Sequence, residues 1–347
     1  MIKQQDVIRV LLVDDSALVR DMIRYILESD PGIVVAGEAS NGEEAIDKVA
    51  SLKPDIVTMD IEMPVMGGLE AIERIVAENP VPILVVTSLI GVRTAFAAVS
   101  KGALDVIEKP DISHENVRTF IQKIRYLAKV DVSAHLRAIR GQSGADGERS
   151  VLIQKDFMKG GIVAIAASTG GPHVIRNILS QLPARFPIPI VITQHIAEGF
   201  TQGMVDWLNG GTPLTVRVAI NGDLLVAGHV YVNPAEQSMR ITEQGMIILG
   251  DRDVRQLYNP SCNTLLSSVA TAYRKEAIGL IMTGMGDDGV EGMQAIKKAG
   301  GVTLAQDANS SVVYGMNRVA VERGYIDRIV PLADIPDELM LLAGAGL

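Results

Sequence analysis

Asp14 and Asp15, Asp60, Thr87 and Lys109 each stand at or just after the end of a short aliphatic run in the first third of this 347-residue chain. Three carboxylates brought together suit a hard cation that prefers oxygen ligands, which points to Mg2+. A carboxylate beside such an ion can act as a nucleophile toward phosphorus. A threonine hydroxyl and a lysine ammonium can then hold the equatorial oxygens of the transferred group. A second set of reactive groups is spread over the rest of the chain. Ser168 lies in Ala166-Ala167-Ser168-Thr169-Gly170-Gly171-Pro172, after an apolar run and before a helical pattern. That is the form of a nucleophile elbow, with free helix-terminal N–H groups able to stabilise an oxyanion. By itself Ser-Thr-Gly-Gly is equally a phosphate-cradling loop or a plain helix cap. His195 ends Val191-Ile192-Thr193-Gln194-His195, and Asp287-Asp288 closes a segment that begins Ile281-Met282-Thr283-Gly284. A Ser, a His and an Asp at the carboxyl ends of strands in one sheet can meet as nucleophile, base and orienter. His114, His135 and His229 fit the base role worse. His173 competes for it, but on a helix leaving the elbow its side chain should face away from the Ser168 hydroxyl.

These groups need elements to position them. Aliphatic runs at Val7–Val13, Ile33–Gly37, Asp55–Met59, Ile83–Val86 and Asp105–Ile107 alternate with amphipathic stretches at Ala17–Glu28, Glu43–Leu52, Gly68–Ala77, Val92–Ser100 and Glu115–Lys129. Such βα repetition predicts a parallel sheet covered by helices on both faces, with ligands at the carboxyl ends of the strands. Residues 141–150 offer one Ala as their only apolar side chain and cannot be ordered by burial, so the linker is placed at 130–158. A second α/β pattern follows: strands at Ile162–Ala166, Ile188–Thr193, Ile278–Met282 and Val302–Ala305, helices from Gly170 or Gly171, at Phe200–Leu208 and at Val290–Ala299. The alternating segments 216–218, 230–232, 239–241 and 246–248, punctuated by Asn221-Gly222-Asp223 and Gln244-Gly245, predict antiparallel strands and a hairpin.

Composition narrows the function classes. Aromatics are 4% of the chain, so the cores are aliphatic. The formal charge of −9 opposes a nucleic-acid partner, which would need clustered Lys and Arg. One cysteine, Cys262, permits no intrachain disulfide and fits a reducing compartment. The first residues lack the apolar core of a signal peptide, and no apolar run reaches the ~18–20 residues of a membrane span. The expectation is a cytoplasmic, monomeric, two-domain protein with no membrane insertion.

The five strand-end groups, with Met59-Asp60-Ile61-Glu62-Met63-Pro64-Val65-Met66-Gly67-Gly68, resemble a response-regulator receiver domain over about residues 6–128. The resemblance implies Asp60 as phosphoacceptor, Asp14, Asp15, Asp60 and the Glu62 carbonyl as Mg2+ ligands, and Thr87 and Lys109 as phosphoryl-binding residues. Gly67 stands where receivers usually carry Asp, and Val106 where they usually carry Tyr or Phe. The Ser-Thr-Gly-Gly, Gln-His and Thr-Gly-Met-Gly-Asp-Asp-Gly segments together resemble the catalytic domain of the chemotaxis protein-glutamate methylesterase family. That resemblance implies Ser168 as nucleophile, His195 as base and Asp288 as orienting acid, with Thr169 touching the His and the Met285 backbone helping to hold the oxyanion. Ala166 replaces a usual Gly. Pro234-Ala235-Glu236-Gln237 and Pro260-Ser261-Cys262-Asn263 depart from common forms and are expected to line the substrate groove.

The whole reading is α/β. A doubly wound, flavodoxin-like five-stranded receiver (1–129) and the linker (130–158) precede a doubly wound, mostly parallel catalytic domain with an antiparallel hairpin (159–347). By resemblance the reaction is hydrolysis of glutamyl methyl esters on chemoreceptors, with glutamine deamidation through the same acyl intermediate. No metal is needed for the ester step, and a chemotaxis histidine kinase supplies the phosphoryl group. A phosphorylation-controlled binding module with a degenerate esterase domain is the alternative. A transcriptional regulator lacks support because the second half shows no compact basic helix-turn-helix.

Overall fold

The computed structural model describes residues 7–88, 91–111, 113–132, 160–251, 258 and 260–344. The chain divides into two compact units, Met1–Leu136 and Arg137–Leu347. Most of the expected linker, residues 133–158, lies outside the described residues, as does His135.

In the first unit, β1 (Ile8–Val13), β2 (Ile33–Ala39), β3 (Ile56–Met59), β4 (Ile83–Thr87) and β5 (Asp105–Glu108) alternate with α1 (Ala17–Glu28), α2 (Gly42–Leu52), α3 (Gly68–Glu78), α4 (Val92–Ser100) and α5 (His114–Leu127). The sheet order is β2-β1-β3-β4-β5, and every pairing is parallel. Strands β3 (Ile-Val-Thr-Met) and β4 (Ile-Leu-Val-Val-Thr) are buried along their whole length, which is why they read as mostly apolar runs rather than as alternation. Helix starts follow local chemistry. Ser16 accepts from the Val19 N–H at α1, and Asn41 accepts from the Glu44 N–H at α2 while Glu44 reaches back to the Ser40 N–H and hydroxyl. The order reverses between β1 and β3, so their carboxyl ends border the crevice where such sheets bind ligands.

The second unit contains β6 (Ile162–Ala167), α6 (Gly171–Gln181), β7 (Ile190–Gln194), α7 (Thr201–Asn209), β8 (Thr215–Val218), β9 (His229–Val232), β10 (Gln237–Ile241), β11 (Ile247–Asp251), α8 (Cys262–Tyr273), β12 (Ala277–Ile281), α9 (Val290–Lys298), β13 (Val302–Gln306), α10 (Met316–Glu322), β14 (Arg328–Val330) and α11 (Ile335–Leu342). A seven-stranded sheet runs β14-β13-β12-β6-β7-β9-β8, parallel throughout. The chain starts in the middle at β6 and winds outward both ways, so the carboxyl ends of β6, β7 and β12 are neighbours at the switch point. The core is aliphatic, with Tyr231 buried in it through bonds from its hydroxyl to the Leu224 carbonyl and from the Val226 N–H.

One topological expectation is corrected. Among the described residues, only β10 and β11 form an antiparallel hairpin, as a separate two-stranded sheet. Segments 216–218 and 230–232 belong to β8 and β9, which pair parallel with each other, β9 also with β7. The Asn221-Gly222-Asp223 turn does not join β8 to β9 as a hairpin. It docks on β11, the Gly222 N–H donating to the Ile247 carbonyl and the Ile247 N–H to the Asp223 carbonyl. A short, half-buried edge strand alternates polar and apolar residues whichever way its neighbour runs.

Candidate active site and receiver acid cluster

Ser168 follows β6 directly, and its backbone is fixed on both sides. Its N–H donates to the Thr283 carbonyl at 3.0 Å, beyond β12. Its carbonyl accepts from the Gly171 N–H at 2.8 Å and from Gln194 Nε2 at 2.7 Å. Gln194 Nε2 also donates to the His195 carbonyl, so one buried carboxamide brackets the nucleophile and base positions. In the β6–β7 register Ala167 pairs with Gln194, and the His195 N–H donates to the Ala167 carbonyl. Ser168 and His195 are therefore the next residues on two adjacent strands, whose separation is about 4.8 Å. The turn needs glycine twice. Gly170 has φ 79°, and a Cβ on Gly171 would lie 1.9 Å from Gln194 Oε1.

His195 Nε2 meets Asp288 Oδ2 at 2.8 Å, with Asp288 2% exposed. The other neighbours of that carboxylate come from the segment 261–263. The Cys262 N–H donates to Oδ2 at 2.6 Å, the Asn263 N–H to Oδ1 at 3.0 Å and Ser261 Oγ to Oδ1 at 3.2 Å. Asn263 Oδ1 then accepts from the N–H groups of Gly289 and Gly292, capping α9. Burial alone would raise the Asp288 pKa; the His195 bond, the His195 charge and these amides outweigh it, and the carboxyl sits below its ordinary value. The Tyr258 ring lies parallel on the imidazole, centroids 5.1 Å apart and planes 1° apart. Cys262 Sγ lies 3.5 Å from His195 Nε2 and 3.6 Å from the Thr193 carbonyl.

Two expectations change. The Thr169 hydroxyl makes no hydrogen bond to His195. It is buried and has no partner among the described residues, while the Thr169 carbonyl accepts from Thr283 Oγ1. Residues 261–263, expected only as groove lining, hold the acid through two amides and a hydroxyl. Their identity was visible in the sequence, but their pairing with a residue 25 to 27 positions later was not. Met285, half-buried, follows Gly284, which is packed so closely that a Cβ there would lie 2.6 Å from Ser168 Cβ.

The receiver cluster is built differently. Lys109 Nζ lies 2.7 Å from both Asp14 Oδ2 and Asp60 Oδ2. Asp14 also accepts from the Ser16 N–H and Asp60 from the Ile61 N–H. Both are buried, whereas Asp15 is exposed. One oxygen from each of the three lies within 4.8 Å of the others, a donor set that fits a hard cation such as Mg2+. Burial raises the Asp14 pKa in spite of its bonds to Lys109 and Ser16. Burial works against the Lys109 charge, but Asp14 and Asp60 together raise its pKa. Thr87 is buried at the end of β4, its carbonyl accepting from the Lys109 N–H. Gly91 leaves it room, since a Cβ there would come within 2.6 Å of Thr87 Oγ1. A Cβ on Gly68 would come within 2.0 Å of the Asp60 carbonyl oxygen, so the loop after the acid closes directly on it.

Known proteins share both halves. Residues 163–339 match the family described as CheB methylesterase, and residues 10–122 match the response regulator receiver domain. The protein-glutamate methylesterase/protein-glutamine glutaminase 3 of Paramagnetospirillum magneticum is 46% identical over 98% of this chain and 97% of its own length. The enzyme numbered 2 of Anaeromyxobacter dehalogenans is 42% identical, with 96% of each chain covered. The methylesterase catalytic domain of Thermotoga maritima CheB, a crystal structure, matches with a TM-score of 0.52 at 35% identity, covering 53% of this chain and 100% of that one. With a receiver sheet, a methylesterase sheet and a His–Asp pair at its switch point, the chain belongs to the CheB-type protein-glutamate methylesterase/protein-glutamine glutaminase family.

Proposed function

We propose that Ser168, His195 and Asp288 carry the ester hydrolysis, on methylated glutamyl side chains of chemoreceptors. The observation that carries this reading is the 2.8 Å bond between His195 Nε2 and Asp288 Oδ2 beside the Ser168 strand end. Because Asp288 takes Nε2, the ring atom left for proton transfer is Nδ1. Ser168 Oγ attacks the γ-carbonyl and passes its proton to Nδ1. The C–O bond to methanol breaks as Nδ1 returns that proton to the leaving oxygen. Water then attacks the acyl-serine, Nδ1 taking its proton and handing it back to Ser168. A glutamine substrate follows the same path with ammonia leaving. The N–H groups of Thr169 and Met285 are the candidate oxyanion donors, each removal costing about 10²–10³ in rate. Ser261 is the other serine near the pair, but its hydroxyl bonds the acid and caps α8 by accepting from the Thr264 N–H. Ser168→Ala should abolish methanol release from methylated receptor, while Ser261→Ala should only lower it. Near-full turnover in Ser168→Ala would sink the assignment.

Control is assigned to the receiver, residues 1–129, joined through 130–158 to the catalytic domain, 159–347. Asp60 is the phosphoacceptor, fed by the chemotaxis histidine kinase. Asp14, Asp15, Asp60 and the Glu62 carbonyl would hold Mg2+, which supplies positive charge to offset the negative charge gathering on the phosphoryl oxygens. Lys109 and Thr87 bind those oxygens. Phosphorylation relieves inhibition of the esterase in a monomeric, cytoplasmic protein. Removing residues 1–150 should therefore raise basal turnover; a fall with folding intact would overturn the inhibitory role.

A further inference from the structure

The esterase chemistry leaves one buried nucleophilic group unused, the Cys262 thiol. Its sulfur, His195 Nε2 and an Asp288 oxygen all lie within 4.8 Å of one another. Imidazole nitrogen, thiolate sulfur and carboxylate oxygen are the ligands of Zn2+, at about 2.0–2.3 Å in a tetrahedron. The corresponding N···S edge is about 3.5 Å by those bond lengths, and the observed Nε2···Sγ separation is 3.5 Å. The Nε2···Oδ2 edge, 2.8 Å here, would open by roughly 0.5 Å to reach the tetrahedral value. One thiolate and one carboxylate cancel the charge of a divalent ion, which offsets the cost of burying it. His195 is the most accessible of the three, its side chain 15% exposed; Asp288 is 2% exposed and Cys262 fully buried.

We infer that His195, Cys262 and Asp288 form an inhibitory site for a thiophilic divalent cation, Zn2+ foremost, built on the catalytic base itself. This rests on the esterase reading for its consequence, not for its binding chemistry. Binding would break the Cys262 S–H bond, form the metal–sulfur bond and release that proton to solvent. The imidazole would coordinate through Nε2, so its proton would move from Nε2 to Nδ1. Nδ1–H cannot accept the Ser168 proton, and turnover stops. Mg2+ and Ca2+, which take oxygen ligands, would be excluded. The chain would then hold two cation sites of opposite character, a hard one in the receiver and a sulfur-containing one in the esterase.

The test uses the full chain with the receiver saturated by Mg2+. Co2+ replaces Zn2+ as the optical probe, because thiolate-to-cobalt charge transfer reports sulfur ligation, and Cys262 is the chain's one cysteine. Wild type should develop the band at one Co2+ per chain and lose turnover in parallel, with a chelator reversing both. Cys262→Ala and Cys262→Ser should show no band. Each is read against its own metal-free turnover, and its half-inhibiting Zn2+ concentration should rise about 100-fold, since loss of outer partners alone costs about 10–100-fold in metal affinity. Ser168→Ala should still develop the band, so the metal site is read independently of the esterase. No thiolate band in wild type, or Zn2+ inhibition at unchanged concentration in both cysteine variants, would overturn the proposal.

Discussion

Two carboxylates in loops that follow strands, Asp288 in the esterase unit and Asp14 in the receiver unit, are both buried and electrostatically opposite. Asp288 has its partners in place: His195, two backbone amides and the Ser261 hydroxyl hold it as a carboxylate, and its pKa falls below the ordinary value. Asp14 shares one lysine with Asp60, and burial raises its pKa. The esterase acid is a finished arrangement that has only to hold a ring in one orientation. The receiver acids are an unfinished one, three carboxylates with one lysine between two of them, short of positive charge until a cation arrives. A site that must respond to a signal is built with that deficit; a site that must be ready is built without it.

The largest break in this comparison is Asp288→Asn. An amide nitrogen would face the Cys262 or Asn263 N–H, leaving a donor unpaired, and His195 would lose the anion that sets its tautomer. By analogy with other triads, turnover should fall about 10⁴-fold, measured as methanol release, and the melting temperature should drop as well. The stability link has a definite sign. With its folded pKa below the ordinary 3.8, Asp288 stabilises the fold above that value, and the contribution is lost as pH falls through the folded pKa. Wild type should lose more stability than Asp288→Asn on acidification below about pH 4; equal losses would show that the acid is not held as described.

Asp14→Asn should do the reverse, with a smaller effect. A raised folded pKa means that ionised Asp14 destabilises the metal-free fold at neutral pH, and the penalty fades as pH falls toward that pKa. The variant should therefore melt higher than wild type without metal and lose the Mg2+-induced rise that wild type shows. Mg2+ affinity of wild type should weaken on acidification, because protons compete for the same oxygens. A metal-free Asp14→Asn that melts lower than wild type would remove the contrast.

The two regions also differ in how far the sequence discloses them. In the receiver, each functional group closes or follows a short strand with an aliphatic centre, repeated in strict alternation with amphipathic helices, so fold and acid cluster are both legible. In the esterase the same holds for Ser168 and His195, which directly follow β6 and β7, and more loosely for Asp288, in the loop that joins β12 to α9. It fails for Ser261, Cys262 and Asn263, whose partners are reached only when α8 packs beside α9, and for Tyr258, whose stacking on His195 has no sequence period. It fails again at β8 and β9, where alternation gives burial but not direction. Strand-end chemistry is local; the groups that brace it are tertiary.

Asn263 is where that bracing can be tuned most finely. Its N–H supports Asp288 while its Oδ1 caps α9 through Gly289 and Gly292, so one residue ties the acid to the helix that follows it. Asn263→Ala keeps the amide bond and removes the cap, which should cost about 1 kcal/mol, a few degrees of melting temperature, with turnover reduced only as far as the acid loosens. Asn263→Asp restores a capping oxygen and should recover the stability, but it sets a second negative charge beside Asp288 and so raises that pKa. The acid limb of its pH–rate profile should then move to higher pH than in wild type, while Asn263→Ala leaves the limb in place. If both variants share one profile, the cap and the acid are not coupled, and the amide clamp alone prepares the esterase site.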